Sequence, residues 1–567
     1  KDLVTSFGMF NDPRKDVDMF EDMLLDKTFR EKYGSSGGQH IDFDDERYHR
    51  NSYENASVSS VVTPRPRGSK SRRKKEKKKV FVVHEGLKPV HGPSAPKMQS
   101  EAIQMIENHK ERIVDLGYKE GEFALPTMNP ETERKSLFKH LQLFASNLEK
   151  VKTVPTEKNI ARCSRVVTSM LSANTFIPDE DYNQISGILD VIHSSIICPD
   201  KSAGFPYCAE GMPTNGNVLG KFGEKGFAQH VLNEWDSALE FKVFLKGEPT
   251  KISKLEREMP RIIACSPLHA TVKHASIFKN FSTTMVKNFR DSPVKYAFSP
   301  ANPGHLEHLK ATLPGKIWES DKSNWDFSML AWIVEVCCRV VQNLSLRHPK
   351  WTEEQHALYR DDVRKAFDQI FKNSRYRTSD GTVYEMLVDG IMKSGWFNTI
   401  SVNSVAQLVI HVMVCIDLGL TDDEIESIPI VCGGDDVNQD PADLNVEKYV
   451  AASAALGVEM VIHERDSLEQ SEFFSSDIRR GPDGLAFFPK RFTKHIEHLK
   501  TVKLEHLADA LCSHMENYRH NAEVFVLLED MYHSLRESHP DQFPTKNLRS
   551  RQYLLAKQYG YEHALSC

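Results

Sequence analysis

Ile428-Pro-Ile-Val-Cys-Gly-Gly-Asp-Asp-Val-Asn-Gln439 decides the reading of this chain. An apolar run of strand length meets two glycines and two carboxylates, then a second β-favouring run. That pattern suits a tight hairpin, because glycine accepts the backbone angles of the turn and the acidic side chains project from its tip. Upstream lies a second acidic stretch, Asp321-Lys-Ser-Asn-Trp-Asp326, directly after the short strand candidate Gly315–Glu319. If the two strands lie side by side, Asp321, Asp435 and Asp436 converge. Carboxylates so placed can hold two Mg²⁺ ions roughly 3.5–4 Å apart, which activate an attacking hydroxyl and stabilise the leaving oxygens of an in-line displacement. Magnesium keeps waters and takes substrate phosphate oxygens, so a few carboxylates suffice. An isolated Asp pair is more often a simple turn former, and the case therefore rests on its neighbours.

Between the acidic sites, Lys393-Ser394-Gly395-Trp396-Phe397-Asn398-Thr399 runs on to Asn403-Ser404. This polar, glycine-containing loop opens Ser404–Leu418, apolar on most faces and long enough for a buried helix. The loop can position a template backbone or a nucleotide sugar; as a plain helix cap, Ser401 or Asn403 would serve. Further upstream, Lys246-Gly-Glu-Pro-Thr-Lys251-Ile-Ser-Lys254, Arg257 and Arg261 form a basic stretch of strand character. It can neutralise a triphosphate, or be a solvated loop. Ser202-Ala-Gly204-Phe205-Pro206-Tyr207 is a small-residue turn that would let a nucleic-acid strand approach closely.

The 567 residues exceed one compact core, so several subdomains are expected. The net charge of -6 hides segregation: residues 1–60 are acidic and polar, whereas Arg65–Lys79 is basic except for Glu76. Such blocks usually belong to solvated segments. Pro89–Pro96 reads as a linker, so the folded body is expected to start near residue 97. No apolar run is read as long enough for a membrane span, and no signal-peptide pattern opens the chain. Ten scattered cysteines without a CxxC pair suggest neither a disulfide framework nor a zinc ribbon. The chain begins at Lys1, which suggests a piece of a longer product. Helical periodicity around short clustered strands points to an α+β architecture.

Taken in order, these pieces resemble the RNA-dependent RNA polymerases of positive-strand RNA viruses, in the picorna-like supergroup and most of all its sobemo-like members. Ser202–Tyr207 is similar to their template-side loop (motif G) and Lys246–Lys254 with Arg261 to their NTP-tunnel segment (motif F). Asp321–Asp326 matches motif A, Ser394–Asn403 motif B and Gly434–Asp436 motif C. The resemblance covers roughly residues 200–495. It implies a right-hand fold: fingers from 97 to 310, palm at 311–335 and 394–480, a fingers or palm insertion at 336–393, and motif E with a small helical thumb over 481–567. It implies that Asp321, Asp435 and Asp436 bind Mg²⁺ (or Mn²⁺). Asp326 and Asn403 would read the ribose 2′-hydroxyl, with Ser394, Gly395 and Thr399 shaping that contact. Lys246 and Arg261 would hold the triphosphate, helped by Lys251 and Lys254, while Ser202, Gly204 and Pro206 would border the template.

The expected partners are NTPs, an RNA template with a primer or a VPg-like protein primer, and other viral replication proteins. The expected place is the host cytoplasm, at replication complexes. Tyr48 or Tyr53 would accept the nucleotide if residues 1–96 hold a VPg-like peptide; an acidic spacer is the plainer reading. Where the family often carries a proton-donating lysine after motif C, this chain offers His463 or Arg465. Motif E is matched loosely, with Ser475, Lys490 and Arg491 as candidates. His495 and His498 share a helical face without completing a metal site, and read as solvated. A reverse transcriptase, a noncatalytic RNA-binding protein and a two-metal nuclease are the competing classes. The Asp326–Asn403 pair favours ribose, and so RNA synthesis.

Overall fold

The computed structural model describes residues 80–559, apart from 91, 93–94, 301–303, 323 and 482–483. Tyr48, Tyr53 and the basic block at 65–79 lie outside the described residues.

The central sheet has four strands in the order β11-β6-β10-β9: Val461–Arg465 (β11), Ile317–Asp321 (β6), Asp436–Gln439 (β10) and Ile430–Gly433 (β9). All neighbours are antiparallel, with Val437 opposite Ser320 and Val461 opposite Asp321. Side chains alternate between faces. Ile317, Glu319 and Asp321 therefore share one face of β6, while Trp318 packs from the other onto Tyr449 at 5.5 Å. Helix Thr399–Asp417 packs against β9, and its residues from Thr399 to Ile416 are all buried. A helix buried on every face is a core helix. It is also long and apolar enough to cross a membrane by composition alone, with a mean hydropathy of 1.8 over 18 residues, though that whole window is buried. This revises the reading that no run reaches such a length; the polar Ser404, Gln407 and His411 hid it.

A five-stranded sheet follows the order β1-β8-β7-β3-β5. Its strands are Phe81–His84 (β1), Val383–Met386 (β8), Arg375–Arg377 (β7), Glu240–Leu245 (β3) and Ile262–Cys265 (β5). Only the β3–β7 pair is parallel. β1 is paired sheet structure ahead of residue 97, where the folded body was expected to start. The chain around the segment read as a linker is tied in: within it Val90 is buried and donates its N–H to the Ser379 carbonyl, and before it Arg377 reaches the Lys88 carbonyl and Phe81 meets Phe138 edge-on at 5.8 Å. Composition alone cannot reveal an edge strand whose partner lies 300 residues away.

A third sheet joins Glu472–Phe473 (β12), Ser476–Gly481 (β13) and Gly484–Pro489 (β14), and Phe123–Ala124 (β2) pairs with Thr250–Lys251 (β4). The C-terminal helices Phe492–Leu499, Leu504–Asn517 and Ala522–Ser538 share a separate core with Met105, Ile106 and Ile113. The first helices after residue 97 thus pack with the end of the chain. Among the described residues, Cys163, Cys208, Cys265, Cys337, Cys338, Cys415 and Cys432 stand outside any disulfide.

Candidate active site

The hairpin forms as the sequence suggests. Gly433 pairs with Asp436, and Gly434 takes the left-handed φ of 67° that the two-residue turn requires. The Gly434 N–H donates to Ser404 Oγ at 2.9 Å, and Cys432 Sγ donates to the Ser404 carbonyl at 3.3 Å, so the core helix anchors the turn. Asp435 is exposed at the tip and Asp436 is half-buried. The register that sets Val437 against Ser320 carries Asp436 level with Asp321 at the same sheet end. Burial, then the charges of Asp435, Glu472 and Asp321, push the Asp436 carboxyl well above the usual carboxylate range, against the pull of Arg491. Buried Lys322, not singled out by its sequence neighbours, lies within electrostatic reach of Asp435 and Asp321. Burial draws its ammonium down to about 8 while Asp435 and Asp321 oppose that, and its Nζ donates to Ser320 Oγ at 2.8 Å.

Among the described residues no three His, Cys, Asp or Glu side chains close into a cage. The three aspartates line one end of the sheet. Such an open set suits Mg²⁺, which retains waters and accepts phosphate oxygens from a substrate. The upward push on Asp436 is what a divalent cation would relieve.

Asn324, at a left-handed φ of 51°, starts the short 3₁₀ turn Trp325–Ser328 after β6. Trp325 Nε1 donates to Asn403 Oδ1 at 3.0 Å, and Asn403 Nδ2 donates to Asp326 Oδ1 at 3.1 Å. The structure thus joins Asp326 and Asn403, and adds Trp325 as the group that orients the amide. Burial pushes the Asp326 carboxyl up to about 6; Asp435 adds to this, while Asn403 and Arg261 oppose it. A carboxyl raised in the folded state contributes stability that is complete below its unfolded pKa near 4 and is lost as pH rises through about 6. Asp326→Asn cannot ionise, so its stability relative to the parent should rise between pH 4 and pH 7 by up to about 3 kcal/mol. Thermal unfolding at the two pH values checks this; an equal difference at both would contradict it.

The loop before the core helix is held tightly. Lys393 is fully buried, donates to the carbonyls of Gly390 at 3.1 Å and Ile391 at 2.9 Å, and lies over the Phe371 ring at 5.4 Å. Ser394 Oγ donates to the Ile262 carbonyl at 3.2 Å, and the Gly395 N–H to Ala264 at 3.1 Å. Thr399 Oγ1 meets the carbonyls of Lys393 and Trp396, each at 2.8 Å. Ser394 and Thr399 therefore use their hydroxyls to shape the loop. Neither Ser401 nor Asn403 caps the helix: Asn398 is the N-cap residue, and Ser401 faces Ser282.

Glu248, unremarked in the sequence, gathers the basic stretch. Its carboxylate meets Lys246 at 3.1 Å, Arg261 at 3.2 Å and Lys494 at 3.4 Å. Arg261 keeps 59% of its side chain exposed; the burial of its guanidinium works against its proton, but Glu248, then Asp326 and Asp435, hold it more firmly. Its guanidinium thus bonds Glu248 and lies within electrostatic reach of Asp326 and Asp435. Burial, together with Arg261, Arg491 and Lys251, lowers the Lys254 ammonium, while Asp321 opposes this. Arg257 is exposed, and its carbonyl accepts from Lys139.

In the 202–207 turn, Gly204 has a φ of 72°, and a Cβ there would come within 2.6 Å of the Ser266 carbonyl. Ser202 accepts Cys265 Sγ on its own carbonyl at 3.7 Å. Beside Pro206 lies a cavity of about 380 Å³ lined by Phe205, Tyr207, Phe222, His230 and His269, among others, but by none of Asp321, Asp435 and Asp436.

Of the two proton-donor candidates, Arg465 is engaged elsewhere. It pairs with Glu319 through Nε at 3.0 Å and Nη2 at 2.9 Å, which holds its proton more firmly, and Glu319 also accepts the Glu472 N–H. His463 is exposed on β11, opposite Glu319. Lys490 pairs with Glu472 and, at 3.6 Å, with Asp477. His495, read as solvated, is partly buried, bonds to Tyr518 Oη at 2.8 Å and faces the His514 ring at 4.9 Å. Its partners come from a helix too distant in sequence to be foreseen.

The antiparallel sheet with its acidic hairpin, set among these helices, is the fold of a right-hand polymerase. The chain belongs to the viral RNA-dependent RNA polymerase family, whose profile matches residues 136–501. It is similar to Protein P1-P2 of Potato leafroll virus, with 26% identity over 242 residues, covering 36% of this chain and 22% of that protein. Protein P2-P3 of Poinsettia latent virus is 27% identical over 208 residues, covering 33% and 18% respectively. The chain thus spans about a fifth of the length of these curated relatives. Among solved structures, a Sicinivirus 3Dpol RNA dependent RNA polymerase superposes with a TM-score of 0.59 at 13% identity, covering 86% of this chain and all of that one. At that identity the likeness speaks for the fold.

Proposed function

We propose that this chain builds RNA on an RNA template, adding NTPs by attack of the nascent 3′-hydroxyl on the α-phosphate with release of pyrophosphate, in the replication of a positive-strand RNA virus. The observation that carries this is the β6–β10 register, which sets Asp321 beside Asp435 and Asp436 with the Asp326–Asn403 pair nearby. Asp321, Asp435 and Asp436 would hold Mg²⁺ (Mn²⁺ in its place), which supplies charge neutralisation for the phosphoryl centre. Arg261 and Lys246 bind the triphosphate, with Lys254 and Lys251 at the edge. Asp326 and Asn403 receive the ribose 2′-hydroxyl. The work of these residues is positioning and electrostatic stabilisation. Ser202, Gly204 and Pro206 border the template, and His463 is the remaining candidate for protonating the pyrophosphate.

In this reading the palm is the four-stranded sheet, the fingers include the five-stranded sheet, and the thumb is the C-terminal helical core. A VPg-like primer, other replication proteins and host cytoplasmic replication complexes complete the proposal. Primer extension with Mg²⁺ tests it: the parent should prefer NTP to dNTP, and Asn403→Ala should narrow that preference at least about tenfold. A parent that prefers dNTP would instead be a reverse transcriptase, and one that only degrades RNA a nuclease.

A further inference from the structure

We propose that Phe474 is a positioning residue that seats the hairpin carrying Asp435, an inference that rests on the polymerase reading for its effect on rate. Phe474 and Ser475 form the two-residue turn between β12 and β13, and both are left-handed, with φ of 50° and 56°. Such turns normally take Asn-Gly, because side chains branching from Cβ crowd the backbone there. An aromatic residue in that conformation costs about 1 kcal/mol or more and persists only where the surroundings hold it.

Here they do. The Lys490 N–H donates to the Ser475 carbonyl at 3.2 Å, and Ser476 Oγ to the Phe474 carbonyl at 3.4 Å. The Phe474 ring stacks on Phe298 at 5.5 Å and 11° and meets Phe473 edge-on at 4.5 Å. Its tip lies against Gly433: a Cβ built on that glycine would overlap the ring. One hairpin therefore fills, with its own side chain, the space that the other leaves empty just before Gly434, Asp435 and Asp436.

The rest of the neighbourhood makes this contact a seat. β12 is fastened to both acidic strands, since Asn438 Nδ2 donates to the Glu472 carbonyl at 3.0 Å and the Glu472 N–H donates to Glu319. The segment leading to Phe298 runs beside β9, where the Lys295 N–H donates to the Cys432 carbonyl at 2.7 Å. Two successive glycines leave the Asp435 turn little stiffness of its own. The ring restores it from outside the hairpin, fixing how far Asp435 stands from Asp321 on the neighbouring strand.

A double-mutant cycle on the full chain tests this, using Gly433→Ala, Phe474→Ala and both together, with Phe474→Leu as the milder change. The readouts are single-turnover nucleotide incorporation on a preformed primer–template and the thermal midpoint. Phe474→Ala should slow incorporation about 10–100-fold with the NTP KM changed less than about twofold, because misplacement by about 1 Å acts on the chemical step. Phe474→Leu should lie between it and the parent. Gly433→Ala should be slower still, and the double variant should recover at least about tenfold over it, since the added methyl then has room. Strict additivity in both rate and midpoint, or a raised KM at unchanged rate, would overturn the proposal. A parent that extends no RNA would remove the polymerase reading, while the midpoints would still decide whether the two residues are coupled.

Discussion

Asp435→Asn should reduce nucleotide incorporation by at least about 10³-fold, several kcal/mol of transition-state stabilisation. The Asn amide keeps the shape of the side chain but loses the charge, and a neutral oxygen is a poor ligand for a hard divalent ion. The protein should not suffer otherwise. Asp435 is exposed at the tip of its turn, and its charge adds to the upward push on Asp436. Removing a like charge from that cluster should leave the thermal midpoint equal to or above the parent's. RNA affinity should stay within about threefold, because it comes from Lys and Arg contacts to phosphate. Incorporation, midpoint and RNA binding measured on one preparation separate a lost reaction from a lost fold. Undiminished extension would refute the assignment of Asp435.

Gly395→Ala should be nearly as damaging, by a different route. A Cβ at Gly395 would come within 2.5 Å of the Ala264 carbonyl and 3.1 Å of Cys265 Cα, both backbone atoms of β5. Backbone in a paired strand cannot step aside as a flexible side chain can. The overlap should cost about 1–3 kcal/mol, seen as a lower thermal midpoint. It should also spread the loop from β5, breaking the Gly395-to-Ala264 hydrogen bond. That loop leads into the helix that presents Asn403, so discrimination against dNTP should fall together with the rate. A variant with unchanged midpoint and unchanged sugar selectivity would show that the loop has slack the packing does not suggest.

The legible parts of this molecule were those whose chemistry is local. The turn at Gly434 and Asp435 could be read because glycine and adjacent carboxylates announce a hairpin within four residues. Asp326 and Asn403 were paired through a resemblance, and the hydrogen bond between them agrees with it. What stayed hidden depends on partners far apart in the chain. Glu248 gains its importance only when Lys494 arrives from 246 positions downstream. Arg465 looked like a candidate acid until folding put Glu319 in front of it. Nothing in a single sequence marks Lys322 or Lys393 as buried, since an ammonium bonded to hydroxyls or carbonyls is written with the same letter as a solvated one. Phe474 is similar: the crowding that gives it a task is written half in one hairpin and half in the other.

The strand at Phe81–His84 bears on how the protein is to be handled. A chain trimmed to begin at residue 97, where composition places the body, would expose the full hydrogen-bonding edge of β8. It would also uncover Tyr384 and Phe138, against which the Phe81 ring packs. Unpaired sheet edges with apolar neighbours recruit other chains. Recombinant material cut at 97 should therefore accumulate as insoluble or self-associated protein, whereas material cut at 79 should remain dispersed. Size-exclusion profiles of the two preparations would differ accordingly.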